Sequence, residues 1–526
     1  VAIINAAQAP VKTVADPNAS FESLKPLWNR SRAVCSGERY VKAYDNYLDR
    51  LSFTNFLIPF SPKMSQEQYE FYKAEAELPG ITSEFAKMIV GGLLRKKPLL
   101  ELPASVPADA YNWIMNEFGK DDSSLTAFLD LALWEEVQTS RAWIFVDYPN
   151  IPDENNLSAD DKLNYKPYPI LQKAESIINW RISENEYGKS ILNRVIIRGF
   201  KEDYSQYEFH PTYRDTVWVH ELDKDGYYQI RIFQKKADTT QLPVVAGQQV
   251  LRPSEHKDIF DLVETKTNIL LEGERLRFIP AWPLNGSIDP VEPMLSQIID
   301  KELSLYNKIS RRNHLLYGAS TYTPVIISDM SDDDFDKLVN SGLGTWLRLR
   351  QGDDAKVLET PTDALSDMEK AIASGIEEMA KLGIRMLSPE TSQSGIALEI
   401  RNAAQTARLG TLNSKISSIM SQVIAFMISW RYSIGIKASD VKFSLSDDFN
   451  PVPLGADWLR LATEWYQQGL IPRSIWIMLL KQNDLMPPDY DDEAGKQEIT
   501  ADMEAVMKAQ APNRVLEGIA NGDGVA

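Results

Sequence analysis

Cysteine is nearly absent. Cys35 stands alone among 526 residues, so no disulfide can close within the chain, and the sequence fits a reducing compartment. Histidine is scarce as well. His210, His220, His256 and His314 are scattered, with no second Cys or His at ligand spacing, so neither a zinc site nor any other metal site is expected. No run of about 18 apolar residues occurs, so no membrane span is expected. The nearest approach, Ile416–Trp430, is broken by Ser417, Ser418, Ser421, Gln422 and Ser429. Its apolar residues Ile416, Ile419, Met420, Val423, Ile424 and Met427 instead mark one buried helix face. The first residues, Val1–Val14, lack the basic start and apolar run of a signal peptide.

Nucleotide motifs are missing too. Tyr187-Gly188-Lys189-Ser190 resembles the end of a phosphate loop, but Ser183 stands where the first glycine is needed, and Glu184 and Glu186 would repel phosphate. Gly342-Leu343-Gly344 lacks a third glycine and opens no helix. Asp223–Gly226 has part of a calcium loop, but apolar alternation on both sides makes it a hairpin turn. No Ser or Cys sits in a nucleophile elbow. Acidic pairs such as Glu377-Glu378 read as a solvated helix face. The expectation is a protein that is not an enzyme and needs no cofactor.

Acid exceeds base by a wide margin. Asp and Glu number 74 against 56 Lys and Arg, giving a net charge of −18 and a pI near 4.9. Tight nonspecific DNA binders need many phosphate-neutralising cations, so the chain as a whole is not one. An acidic surface is compatible with a wall that DNA slides past.

What the sequence has in excess is helix length. Asp289–Tyr317 carries Val291, Leu295, Ile298, Ile299, Leu303, Tyr306 and Ile309 at helical spacing. A compact insert follows: strand Thr323–Ser328, a helix Asp332–Asn340 capped by Ser331, and strands Thr345–Arg350 and Lys356–Glu359. A second helix over Thr362–Leu382 carries Leu365, Met368, Ile372, Ile376 and Met379 on one face. After a loop at Met386–Ser394, a third helix spans Gly395–Arg431. Its small residues Ala403, Ala404, Ala407 and Gly410 permit close helix approach, and Gly410 can mark a kink. Periodic patterns beyond about 25 residues point to assembly with other helices.

The remainder is mixed. Helices are expected over Ser65–Leu78, Thr82–Lys96 (capped by Thr82 or Ser83), Asp109–Phe118 and Ser124–Thr139. Strands are expected at Ala142–Asp147, Leu192–Arg198, Thr216–Leu222, Tyr227–Phe233, Glu274–Pro280 and Val441–Leu445. Tyr148–Pro169 and Pro243–Pro253 read as loops. Ala456–Gln468, Ile475–Gln482 (capped by Ser474) and Ile499–Lys508 read as C-terminal helices before a disordered tail. The fold class is α+β, mixed.

Several short patterns occur in order. Trp28, Arg30, Gly37, Glu38, Val41, Lys42, Tyr47 and Leu48 follow the form W…R…GE..VK…YLP, with Asp49 in place of Pro. Leu93-Leu94-Arg95-Lys96-Lys97-Pro98 and Leu102-Pro103 form a basic-proline turn, with Lys97 replacing one proline. Pro280, Pro283, Asn285 and Gly286 precede the first long helix. With the helix–insert–helix–loop–helix block, this order resembles the portal proteins of tailed double-stranded-DNA bacteriophages, ring-shaped dodecamers at one capsid vertex.

The resemblance spans nearly the whole chain and implies a division of labour. Residues 1–285 would be a mixed α/β wing, 286–319 the first stem helix and 320–361 a small α/β clip. Residues 362–385 would be the second stem helix, 386–394 the tunnel loop, 395–454 the long wing helix with its closing strand, and 455–526 a helical crown with a disordered tail. Arg385, Ser388, Glu390, Thr391, Ser392 and Gln393 would face the DNA channel. Lys301, Lys308, Arg311 and Arg312 would be stem charges. Asp332, Asp333, Asp334, Arg348 and Arg350 would lie in the clip, where the motor docks. Implied partners are further copies in a homo-oligomeric ring of twelve, the terminase large subunit, head-completion or adaptor proteins, and the major capsid or scaffold protein. Double-stranded DNA would pass through without sequence specificity, and no membrane is involved. The place would be the capsid vertex of the virion, with assembly in the host cytoplasm. Two alternatives stand beside it: a soluble multidomain enzyme, and another capsid-associated structural protein.

Overall fold

The computed structural model describes residues 13–46, 51–149, 164–184, 187–205, 208–235, 260–267, 269–271, 273–320, 323–327, 331, 333, 354–358, 363–387, 395–446, 456–468, 472–473, 476–477, 480, 486, 490, 495 and 500. It is a mixed α+β protein that divides into two units, Val1–Phe449 and Asn450–Ala526. The division falls a few residues before the expected crown boundary at 455.

In the first unit the earliest element is a helix that the sequence pattern does not announce. α1 (Ala19–Ser36) starts at Asn18, whose side chain accepts from the Ser20 amide at 2.9 Å. Pro26 lies inside it, and its buried face includes Ser31 and Arg32 as well as Trp28. The polar part of that face is satisfied by long-range partners. Arg32 donates to Glu175 (2.6 Å), Glu135 (2.5 Å) and Gln138 (3.0 Å), and the Ser31 hydroxyl to the Gln138 carbonyl (2.6 Å). Burial opposes the Arg32 charge, but Glu175 and Glu135 outweigh it and hold its pKa above the ordinary arginine range.

After the short α2 (Glu38–Val41), β1 (Lys42–Asn46) and β2 (Leu51–Asn55) pair antiparallel. α3 (Gln66–Glu75) opens with a reciprocal Ser65–Gln68 capping box. α4 (Ile81–Leu93) departs from expectation at its start. Neither Thr82 nor Ser83 caps it; the cap position is Gly80, at φ +74°, which brings no side chain. β3 (Leu99–Glu101), α5 (Asp109–Asn116) and α6 (Leu125–Thr139) follow, and Ser124 caps α6 as its position suggests. Leu125, Leu129 and Leu133 of α6 are fully buried and belong to the same core as Trp143.

Two sheets complete the body. β4 (Trp143–Asp147) is the centre of a three-stranded sheet, between β5 (Tyr168–Gln172) and the later β13. β5 begins inside the stretch read as a loop. The larger, antiparallel sheet has the order β10-β9-β8-β7-β6. It comprises β6 (Ile177–Glu184), β7 (Ser190–Asp203), β8 (Thr212–Leu222), β9 (Tyr228–Lys235) and β10 (Phe260–Lys266). The turn between β8 and β9 is the expected hairpin: Gly226 sits at φ +81°, and the Asp223 carboxylate accepts from the amides of Asp225 (2.9 Å) and Tyr227 (2.8 Å). β11 (Leu270–Leu271) and β12 (Glu274–Arg275) are short, and β13 (Ala281–Pro283) extends β4. The strand expected over Glu274–Pro280 therefore shrinks to β12.

α7 (Ser296–Ser320) starts seven residues later than its periodicity suggests. Pro290 and Pro293 disfavour helical backbone at Asp289 and Glu292, and the helix begins after a turn in which the Ser296 amide donates to the Pro293 carbonyl. β14 (Thr323–Ile327) and β15 (Asp354–Leu358) pair antiparallel, Thr323 opposite Leu358. The expected strand Thr345–Arg350 and helix Asp332–Asn340 lie outside the described residues, apart from a helical Asp333. α8 (Asp363–Leu387) runs past the expected end of the second helix, so Met386 and Leu387 are helical and not loop. α9 (Gly395–Tyr432) is continuous through Gly410, where an added Cβ would meet open space, so no close helix approach occurs at that position. β16 (Lys442–Ser444) returns to pair with β3.

In the second unit α10 (Ala456–Gln467) stands as expected. Tyr466 stacks on Trp476 with centroids 4.9 Å apart. Arg473 is already helical and the Trp476 amide donates to the Pro472 carbonyl, so the next helical turn starts before Ser474.

Candidate functional site

The hairpin of α7 and α8 is where the sequence concentrates its unusual features. The two helices run antiparallel in a register set by three contacts. Lys301 meets Glu378 at 2.8 Å, Leu305 packs on Gly375, and Arg312 meets Glu369 at 2.9 Å. A Cβ at Gly375 would lie 2.6 Å from Leu305 Cδ2, so this glycine lets the helices approach. Neither Leu305 nor Gly375 stood out in the pattern of large apolar residues. The expected stripe on α8 largely holds, with Met379 buried and Leu365, Met368 and Ile372 half-buried, but Ile376 is 41 % exposed. On α7, Ile298, Ile299 and Tyr306 are buried, as is Leu295 just before it, whereas Val291 precedes the helix and is exposed.

This register assigns the stem charges. Lys301 and Arg312 are bound to α8 of the same chain. Arg311, though exposed, acts on Tyr72 of α3: burial raises that phenol's pKa and Arg311 opposes the rise. Lys308 is exposed and has no hydrogen bond or ion pair among the described residues. Arg385 falls in the last turn of α8, and Asp333 is exposed. Ser388, Glu390, Thr391, Ser392, Gln393, Asp332, Asp334, Arg348 and Arg350 lie outside the described residues.

The hairpin is tied to the body at its base, just after the Pro280, Pro283, Asn285 and Gly286 pattern. Ser140, at the left-handed end of α6, accepts from the Asn285 side chain at its carbonyl (2.6 Å) and from the Met294 amide at its hydroxyl (3.0 Å). Arg141 donates to the Ile288 carbonyl (3.1 Å), the Leu284 amide to the Ala142 carbonyl (2.8 Å), and the Trp180 indole to Asp289 (2.7 Å). Arg141 also lies over the rings of Trp28, Trp143 and Trp180, 4.3 Å from the last. Burial lowers its pKa to about 10, against the pull of Asp289 and Glu136. Glu136 accepts from the Ala142 amide at 2.9 Å; burial pushes its pKa up to about 8, with that hydrogen bond, Lys415 and Arg141 opposing.

A second tie lies further along α7. Glu302 is fully buried, and its two carboxylate oxygens accept from the amides of Ile81 (2.9 Å) and Thr82 (2.7 Å), the first residues of α4. On the opposite face of α7 from α8, Asn307 accepts from the Ile58 amide at 2.8 Å. The His314 ring meets Tyr72 edge-on and Phe60 at a tilt, and Tyr317 meets Phe71 at a tilt.

Elsewhere, a cavity of about 510 Å³ lies between the start of α1 and the large sheet, with Asp16, Asn179, Arg194 and Arg231 in its lining. Both arginines bond Glu221, at 2.7 and 2.6 Å, and this closed ion cluster offers no nucleophile–base pair. Among the described residues no group of three or more His, Cys, Asp or Glu could hold a metal ion, and no helix is long and apolar enough to cross a membrane.

Residues 293–431 match a family described as a domain of unknown function (DUF4055). The match covers α7, the β14–β15 insert, α8 and α9 to its penultimate residue. No curated protein matches the chain. Among solved structures, a chain of the virion of a native gene transfer agent (GTA) particle is 10% identical with a TM-score of 0.36, over 76% of this chain and 89% of that one. A chain of the neck of an empty GTA particle is likewise 10% identical with a TM-score of 0.36, over 80% of this chain and 95% of that one. Likeness at this level carries no functional inference, and the hairpin's own geometry must.

Proposed function

We propose that the chain is the subunit of a phage portal, a ring at one capsid vertex through which the genome is packaged, retained and ejected. The observation that carries this reading is the hairpin itself: two antiparallel 25-residue helices, a β-paired insert at their tip, and a 38-residue helix that follows. α8 packs on α7, α9 and α4, yet a broad face of its described residues is left uncovered. Ser366, Asp367, Lys370, Ala373, Ser374 and Glu377 are exposed, although the helix would be about 37 Å long. A helix so thinly supported gains burial when copies pack side by side. Among the described residues β14 and β15 pair only with each other, and a two-stranded sheet is marginal alone in water and gains from a further strand. Heterologous contacts of this kind repeat by rotation and close into a ring.

In this reading α7 and α8 wall the channel, the insert carrying Asp332–Asp334, Arg348 and Arg350 docks the terminase motor and later the adaptor proteins, and Ser388–Gln393 with Arg385 meets the DNA. The acidic balance keeps DNA mobile. Hydrolysis belongs to the motor, not to this chain. The ring would be part of the virion and would form in the host cytoplasm from twelve copies beside the capsid or scaffold protein. Light scattering after size exclusion tests it: twelve copies of a 59.5 kDa chain give about 714 kDa. A strictly monomeric protein at high concentration contradicts it.

A further inference from the structure

Helix α4 cannot cap itself. Its cap position is a glycine, and its first amides have no acceptor within the helix. The acceptor is supplied from 220 residues away, by Glu302 on α7. Both carboxylate oxygens are used, no Lys or Arg pairs with Glu302 among the described residues, and the side chain is fully buried. The negative charge is therefore held by two backbone amides and the positive end of the α4 dipole. Cys35, at the end of α1, adjoins the same carboxylate: burial, with Glu302 adding to it, pushes the thiol up to about 12. If α7 slides along its axis by a fraction of a turn, both hydrogen bonds break together, because they share one carboxylate.

We propose that Glu302 is the coupling element between the hairpin and the body: α4 stays capped only while α7 holds its axial position. The consequence reaches beyond the contact, because α4 packs against α1, α6, α7, α8 and α9 and contributes Phe85, Ala86, Ile89, Val90 and Leu93 to the core. Displacement of α7 thus loosens the first turn of the helix on which those elements converge. The coupling rests on the Glu302 geometry alone and stands whether or not the hairpin lines a channel.

Amide hydrogen exchange of the full-length protein tests it. In Glu302→Gln one oxygen is lost, and in Glu302→Ala both are. The amides of Ile81 and Thr82 should exchange faster in both, by about tenfold in Glu302→Ala and by less in Glu302→Gln. Gly375→Val pushes on α7 through Leu305, one turn along from Glu302, without touching Glu302 itself. It should accelerate the same two amides by roughly twofold or more. Amides of Val217, Val219 and Ile230 in the large sheet report on global folding and should not change. Unchanged rates at Ile81 and Thr82 in the Glu302 variants would overturn the capping role. A Gly375→Val protein with unchanged rates there would overturn the coupling, as would equal acceleration in the sheet. Neither result bears on ring formation, which is measured separately by mass.

Discussion

At the scale of single residues the buried charges decide where the molecule is sensitive. Glu136 has a folded pKa near 8, above the ordinary carboxylate value near 4.3 that it regains on unfolding. Between those values the folded state binds the extra proton, so its contribution favours folding at low pH. That contribution is lost as pH rises toward and through the folded value, at up to about 1.4 kcal/mol per pH unit. Glu136→Gln removes this dependence. Denaturant titrations at pH 5 and pH 8.5 should show the variant gaining stability relative to the natural protein at the higher pH; an equal difference at both would refute the assignment. Little of this was legible in the sequence. Glu136 sits in an otherwise unremarkable helix, and Arg32 with its partners Glu135 and Glu175 is assembled from positions over 100 residues apart. Charge at a position is visible in a sequence, whereas burial of that charge depends on which distant element covers it.

At the scale of elements, periodic apolar residues revealed what they could. α6, α7, α8, α9 and the β8–β9 hairpin follow from helical or alternating patterns and a turn with glycine at its end. α1 did not, because Pro26 interrupts it and its buried face includes Ser31 and Arg32. The start of α4 is hidden from local pattern because the acceptor for its first amides, Glu302, lies on another helix. The α7–α8 seam was half legible: large residues marked its stripe, but its closest approach is made by Gly375, a residue that carries no apolar signal. Substituting Gly375 with Leu should cost about 1–3 kcal/mol, since Leu305 must move to admit it. Removing the exposed Lys301–Glu378 pair should cost no more than about 1 kcal/mol. Thermal or denaturant unfolding distinguishes these, and the reverse ranking would show that charge pairing, not close packing, sets the register.

At the scale of the whole molecule, the described part of the block is an antiparallel hairpin of two 25-residue helices followed by a 38-residue helix, and α8 leaves Ser366, Asp367, Lys370, Ala373, Ser374 and Glu377 exposed. The predicted stem cations are largely spent within the chain: Lys301 and Arg312 bind α8 and Arg311 adjoins Tyr72, which leaves Lys308 exposed on the seam. Contact with DNA therefore falls to the segment after α8 in the portal reading. Deleting Ser388–Gln393 should leave ring formation intact and impair DNA packaging or retention in an assembly assay. Loss of the ring in that variant would contradict the placement of this segment. The most direct test of the account is a negative-stain electron micrograph of the purified protein. The portal reading predicts rings with an open axial channel. A field of single compact particles at high protein concentration would contradict it.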